Sequence, residues 1–222
     1  TMKKIRISPS VLSADFLNLY DSIKEIENAG ADEIHYDVMD GMFVPNITFG
    51  LPILDSIRAI TNLKIDVHMM VEEPVRFINE FERSGADIFT IHYEACENIE
   101  DSIKKIKNSR MEIGISIKPN TNVKSILPYL ESVDRILIMT VEPGFGGQAF
   151  NEKMVSKIST IKNYLIEKNI DIDIAVDGGI KVDNSKKVID AGANVLISGT
   201  GIFQYDKGAK SAISELRNSD KQ

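Results

Sequence analysis

The sequence predicts a closed (β/α)8 TIM barrel, an α/β fold, and three observations carry that expectation. Eight short runs rich in Val and Ile recur along the 222 residues. They lack polar alternation, as strands covered on both faces do, and such strands are parallel and joined by helices. Amphipathic stretches of helical period fill the intervals between them. Finally, Gly30-Ala31-Asp32, Gly85-Ala86-Asp87 and Gly192-Ala193-Asn194 echo one another, each between a helical stretch and a strand. Their spacing places them before strands two, four and eight of an eight-unit barrel.

In chain order, strands are expected over 5–8, 33–38, 64–69, 88–92, 112–117, 135–139, 173–176 and 195–198. A helix over 16–29 puts Leu19, Ile23 and Ile26 on one stripe, and one over 51–60 follows the second strand. Pro74 opens a helix over 74–84, a position that tolerates proline. Ile99, Ile103 and Ile106 mark 99–107, a helix over 123–130 follows the fifth strand, and Ile158, Ile161 and Leu165 mark 153–168. Asp183 is expected to cap 184–191, and 208–217 closes the chain. A doubly wound sheet would carry a glycine-rich turn after its first strand, where this chain has Pro9-Ser10-Val11-Leu12. With no linker or low-complexity run, residues 1–222 are expected to form one domain.

The composition, 43% hydrophobic and 27% charged, is that of a globular protein. A net charge of -7 with no basic patch argues against a nucleic-acid partner but leaves room for a small anionic ligand, which backbone amides can bind. The one cysteine, Cys96, fits a reducing compartment, and no signal peptide or membrane span is evident, so the expected location is cytoplasmic with no membrane partner.

The chemistry gathers at strand ends, where barrel enzymes place their working groups. His35 and Asp37 are two residues apart and share a face of the second strand. His68 ends the third strand and Asp177 the seventh. Together these four residues are expected to hold one metal ion, and two imidazoles with two carboxylates suit zinc, manganese, iron or cobalt. Asp66 shares parity with His68 one layer deeper, with a structural role equally open to it, and Asp40 before Gly41 reads as a turn residue. His92 ends the fourth strand, placed either to orient a neighbour of the site or to make a structural hydrogen bond. Lys118 follows the fifth strand and either braces a carboxylate or faces solvent.

The last three strands end in glycine-rich turns: Pro143-Gly144-Phe145-Gly146-Gly147-Gln148, Asp177-Gly178-Gly179-Ile180 and Ser198-Gly199-Thr200-Gly201. Neighbouring loops of this kind at a barrel mouth expose backbone amides to a phosphate. No glycine run ends in Gly-Lys-Ser/Thr, so a phosphorylated small molecule fits better than a nucleoside triphosphate. Met39, Met70 and Met139 sit at strand ends, as core filler or as an apolar wall that keeps water from a reactive species.

Several ordered motifs carry a family resemblance over nearly the whole chain. They are Ile7-Ser8-Pro9-Ser10 with Asp15-Phe16, Asp37-Val38-Met39-Asp40-Gly41 with Phe43-Val44-Pro45-Asn46, and Asp66-Val67-His68-Met69-Met70. Pro143-Gly144-Phe145-Gly146-Gly147-Gln148 and Val176-Asp177-Gly178-Gly179-Ile180 complete the set. With them the chain resembles the ribulose-phosphate 3-epimerases, which are TIM barrels of the ribulose-phosphate-binding type. The resemblance implies one divalent ion per subunit, Zn2+ first and Mn2+, Fe2+ or Co2+ as alternatives, on His35, Asp37, His68 and Asp177. It implies Asp37 and Asp177 as the acid–base pair. Substrate contacts would fall on Ser10, His68, Gly144, Gly146, Gly147, Gly178, Gly179, Gly199 and Thr200, with Met39, Met70 and Met139 around an enediolate.

The implied activity is interconversion of D-ribulose 5-phosphate and D-xylulose 5-phosphate, in the pentose phosphate pathway, by a homo-oligomer. A ketohexose phosphate such as D-allulose 6-phosphate is the alternative substrate. A non-catalytic phosphosugar-binding protein is the rival from another class, and it would need no carboxylate pair around a metal.

Overall fold

The computed structural model describes residues 3–221. Its eight strands are β1 (Arg6–Pro9), β2 (Glu33–Met39), β3 (Lys64–Met70), β4 (Ile88–His92), β5 (Glu112–Ile117), β6 (Arg135–Met139), β7 (Asp173–Asp177) and β8 (Val195–Ser198). They form one sheet in the order β1-β8-β7-β6-β5-β4-β3-β2, every pair parallel. The sheet closes on itself where β1 meets β2: Ser10 bridges His35, and the Asp32 N–H donates to the Ile7 carbonyl at 3.0 Å. The expected (β/α)8 barrel is therefore present.

The connections carry α1 (Leu19–Asn28), α2 (Leu51–Arg58), α3 (Ile78–Arg83), α4 (Ile99–Lys107), α5 (Met154–Lys168), α6 (Val182–Asp190), α7 (Thr200–Phe203) and α8 (Gly208–Arg217). Several differ from expectation. The stretches 16–29 and 74–84 each begin with a 3-10 turn, Phe16–Asn18 and Pro74–Phe77, before the α-helix starts. The helix expected over 123–130 is replaced by two 3-10 segments, Val123–Ser125 and Leu127–Ser132; Asn122 caps the first, and Pro128 sits in the first turn of the second. Asp183 is not a cap. The last helix of the barrel wall before β8, α6, starts two residues earlier, at Val182, and its Asn184 side chain accepts the Lys181 N–H at 3.0 Å.

The Gly-Ala-Asp echo has a physical basis. Asp32 accepts the N–H of Ile7, Asp87 that of Ile65, and Asn194 that of Ile174, at 2.8–2.9 Å. In each case the same residue's own N–H returns to the carbonyl of that isoleucine. Asp134 makes the same double clamp on Ile113 without the Gly-Ala prefix. The four clamps join β1 to β2, β3 to β4, β5 to β6 and β7 to β8. They fix the register of alternate strand pairs at the end of the barrel away from the strand C-termini.

Strand parity sorts the core into two compartments. Outward residues such as Ile34, Tyr36, Val67 and Ile115 pack under the helices in one large cluster. Inside the barrel, Leu137, Met139, Ala175, Val195 and Ile197 make a separate apolar cluster on the β6–β8 side. The opposite side is lined by buried polar groups, among them Glu33, His35, Asp37, Asp66, His68, Thr90 and His92, and Arg135 reaches across to Glu33 and Asp66 from the start of β6. That imbalance places the chemistry against β2, β3 and β4.

Among the described residues no helix is long and apolar enough to cross a membrane.

Candidate metal centre and active site

His35, Asp37, His68 and Asp177 converge as expected, each offering a donor atom within 4.8 Å of the others. His35 Nε2 lies 3.2 Å from His68 Nδ1 and 3.2 Å from Asp37 Oδ1. His68 Nδ1 lies 3.0 Å from the same Asp37 oxygen. Asp177 Oδ2 lies 3.6 Å from His35 Nε2 and 3.9 Å from His68 Nδ1. Ligand atoms 2.0–2.1 Å from one tetrahedral ion stand roughly 3.3–3.4 Å apart. The separations of 3.0–3.9 Å bracket that edge, so the donor set and its spacing fit a divalent ion. The site is buried: both imidazoles are fully inaccessible and Asp37 nearly so.

The electrostatics set the two carboxylates apart. Burial opposes ionisation of Asp37, but the His35 and His68 rings beside it outweigh burial and hold its carboxyl far below the usual carboxylate range. Burial and the charge of Asp37 push Asp177 up to about 6. Burial favours a neutral His35 ring, yet Asp37 and Asp66 raise it well above the ordinary imidazole value. The two carboxyls are thus driven in opposite directions within one buried site.

Asp37 divides its oxygens. Oδ1 faces the imidazoles, while Oδ2 accepts the Ser10 hydroxyl at 2.7 Å. Asp37, Asp177 and Ser10 all line one pocket at the C-terminal ends of the strands. Its wall contains Met39, Met70 and Met139, each almost wholly buried, which places all three between core and cavity. It also contains Gly144, Gly146, Gly147, Gly178, Gly179, Gly199 and Thr200. His68, expected against the substrate as well as the metal, lies behind this wall with no exposed surface. The loops after β6 and β7 press together at Gly179, whose φ is +68°; a Cβ there would stand 2.5 Å from the Phe150 nitrogen.

Beneath the site, Asp66 stands 3.4 Å from His35 Nδ1, accepts the Thr90 hydroxyl at 2.6 Å and accepts Arg135 at 2.9 Å. Arg135 also grips Glu33 with two bonds of 2.7 and 2.9 Å. Asp40 is the turn residue it was read to be, accepting the N–H groups of Met42, Phe43 and Glu72. Lys118 braces a carboxylate, though through its backbone and not its side chain. Its ammonium lies 4.2 Å above the Phe43 ring, and its backbone N–H donates to Glu94 at 2.7 Å. Sequence reasoning missed Ser13 in the pocket wall, and missed the roles of Arg135 and Glu94 altogether. Only Ser13, three residues after Ser10, carried a local hint.

A profile of the Ribulose-phosphate 3 epimerase family matches residues 6–203. The chain is 46% identical over 217 residues to the ribulose-phosphate 3-epimerase of Bacillus subtilis (strain 168), covering 97% of this chain and 99% of that protein. It is 41% identical over 215 residues to the ribulose-phosphate 3-epimerase of Methanocaldococcus jannaschii, covering 97% and 91%. The orotidine 5'-phosphate decarboxylase structure from Pyrococcus horikoshii OT3 superposes with a TM-score of 0.71 over 97% of this chain and 99% of that one. At 14% identity it shares the fold alone. The family profile and the whole-length relatives lead to one conclusion: this chain is an enzyme belonging to the ribulose-phosphate 3-epimerase family.

Proposed function

We propose that the protein interconverts D-ribulose 5-phosphate and D-xylulose 5-phosphate by inversion at C3, with Asp37 and Asp177 as the two bases. The observation that carries this reading is the pair of carboxylates at one buried pocket, on β2 and β7, joined by two imidazoles with metal-ligand spacing. His35, Asp37, His68 and Asp177 would hold the ion; their nitrogen and oxygen donors favour Zn2+, with Mn2+, Fe2+ and Co2+ as alternatives. When bound, such an ion supplies positive charge that stabilises an enediolate and so makes a C–H proton acidic enough for a carboxylate to remove.

Asp37 takes the C3 proton from one face, and Asp177 delivers one to the other; in reverse the roles exchange. Inversion requires groups on opposite faces of the reacting carbon, and β2 and β7 lie on different arcs of the barrel. Ser10 holds the Asp37 oxygen that faces the pocket, which fixes the direction of its lone pairs. Met39, Met70 and Met139 give the planar intermediate an apolar, polarisable wall and exclude water. The glycine turns after β6, β7 and β8 bind the phosphate through backbone amides, which supplies orientation and binding energy away from the reacting carbon.

The test is kcat/KM for D-ribulose 5-phosphate beside that for D-allulose 6-phosphate on metal-loaded protein. A preference for the five-carbon sugar is expected. The opposite preference would move the same two-carboxylate chemistry to a hexulose phosphate, and no turnover of either would overturn the proposal.

A further inference from the structure

Outside the four donor residues, a buried chain of polar groups runs from His68 away from the pocket. His68 Nε2 lies 2.8 Å from His92 Nε2, and His92 Nδ1 lies 3.0 Å from Glu94 Oε2. The His68 and His92 ring centres are 4.9 Å apart and the planes differ by 24°. The nitrogens are far closer than the ring centres, so the rings meet edge to edge and nearly in one plane. That is the geometry of an N–H···N bond and not of a stack. Both rings are fully buried.

The outer end is fixed as firmly. Glu94 Oε1 accepts the Lys118 N–H at 2.7 Å and also the Thr121 hydroxyl. The turn that presents those donors is itself gathered by Lys157, whose ammonium reaches the carbonyls of Lys118, Pro119 and Thr121 at 2.7–3.1 Å. The Phe43 ring covers His92, with ring centres 4.9 Å apart.

Resting on the reading of His68 as a metal ligand, we infer that His92 and Glu94 are positioning residues that fix which nitrogen of His68 faces the metal. The direction of the chain follows from valence. With Nδ1 of His68 committed to the ion, its proton sits on Nε2 and must be donated. The acceptor is His92 Nε2, which leaves the His92 proton on Nδ1. Glu94, accepting only, takes that proton's hydrogen bond. No member is left unsatisfied, and the reverse direction would put a proton on the nitrogen that faces the ion. A ligand imidazole held this way is pre-oriented and more electron-donating than a free one. The carboxylate that performs this task for His68 stands one imidazole removed. For His35, Asp66 stands directly beneath Nδ1, with no intervening ring.

The experiment measures Co2+ affinity by chelator competition, together with the visible spectrum of the bound Co2+, for wild type, His92→Leu, His92→Gln and Glu94→Gln. Circular dichroism and urea midpoints record folding in parallel. Leucine fills the space of the ring without an acceptor, whereas glutamine can place an oxygen where Nε2 stood. The inference expects about a 10- to 100-fold weaker Co2+ affinity for His92→Leu, with a shifted spectrum. It expects His92→Gln to recover much of both, and Glu94→Gln to move both in the same direction as His92→Leu, by less. If His92→Leu does not fold, His92→Gln and Glu94→Gln decide the matter by the same readouts. Unchanged affinity and spectrum in the folded variants would overturn the inference while leaving the metal centre standing. Wild type that binds no stoichiometric Co2+ would overturn both.

Discussion

Replacing Arg135 by methionine should remove a large share of the stability of this barrel. The guanidinium is 1% exposed and faces Glu33 and Asp66, which are 1% and 0% exposed. Three charge-assisted hydrogen bonds of 2.7–2.9 Å would vanish, and both carboxylates would stay buried. At about 1.5–3 kcal/mol per charged hydrogen bond the gross loss is about 4.5–9 kcal/mol. Part of it is recovered: Thr90 still donates to Asp66 at 2.6 Å, and Arg6 stands 3.9 Å from Glu33. The net expectation is about 3–5 kcal/mol, as for other buried pairs broken from one side. Domains are commonly stable by about 5–15 kcal/mol, so the loss is a large fraction of the total. Urea unfolding at pH 7 measures the loss. Adding Glu33→Gln to Arg135→Met should return part of it, because one stranded charge is then gone. A loss below about 1 kcal/mol in the single variant would refute the reasoning that these carboxylates depend on Arg135.

Three further outcomes are expected. Asp37→Asn and Asp177→Asn should each lower kcat by about 10³-fold or more in a direct C3-epimerisation assay, since each removes a proton carrier and a metal donor together; near-normal turnover in either would remove that residue from the mechanism. Gly114→Ala would set a Cβ 2.1 Å from Thr90 Oγ1, on the side chain that supports Asp66, and should cost about 1–3 kcal/mol in urea unfolding, less when Thr90→Ala is added. Burial raises the pKa of Asp32, but hydrogen bonds from Lys4, the Ile7 N–H and Arg217 outweigh it and hold the carboxyl below its ordinary value. Its contribution is therefore present above about pH 4 and lost as pH falls through the depressed folded value. Asp32→Asn keeps the amide-accepting oxygen, as Asn194 does in the equivalent clamp, so it should lose only about 1 kcal/mol at pH 7 and converge on wild type in acid.

Strands were the most legible part of the chain, because residues such as Ile34, Tyr36 and Val38 must be apolar to face the helices whatever the loops do. The four donor residues were legible for a related reason: His35 and Asp37 share parity on β2, and polar groups at buried strand ends stand out. Arg135 was not. At the start of a strand an arginine reads as solvent-facing, and only the staggering of strands around a closed barrel brings it to Glu33 and Asp66, 102 and 69 residues away. The His68–His92–Glu94 chain was hidden for the same reason, since His92 could be placed at a strand end but not its partners. The crossover after β5 misled because a helix was placed there to fill the interval between strands, and two 3-10 segments fill it instead. The echo of Gly30, Gly85 and Gly192 pointed to the register clamps, while Asp134 lacked the glycine that would have revealed the fourth.

The most direct test of the account is to run the metal-loaded enzyme on D-ribulose 5-phosphate in D2O and locate deuterium in the product. Transfer between Asp37 on one face and Asp177 on the other predicts D-xylulose 5-phosphate labelled at C3 and nowhere else. Deuterium at C1, or inversion at C3 with no solvent label, would contradict it.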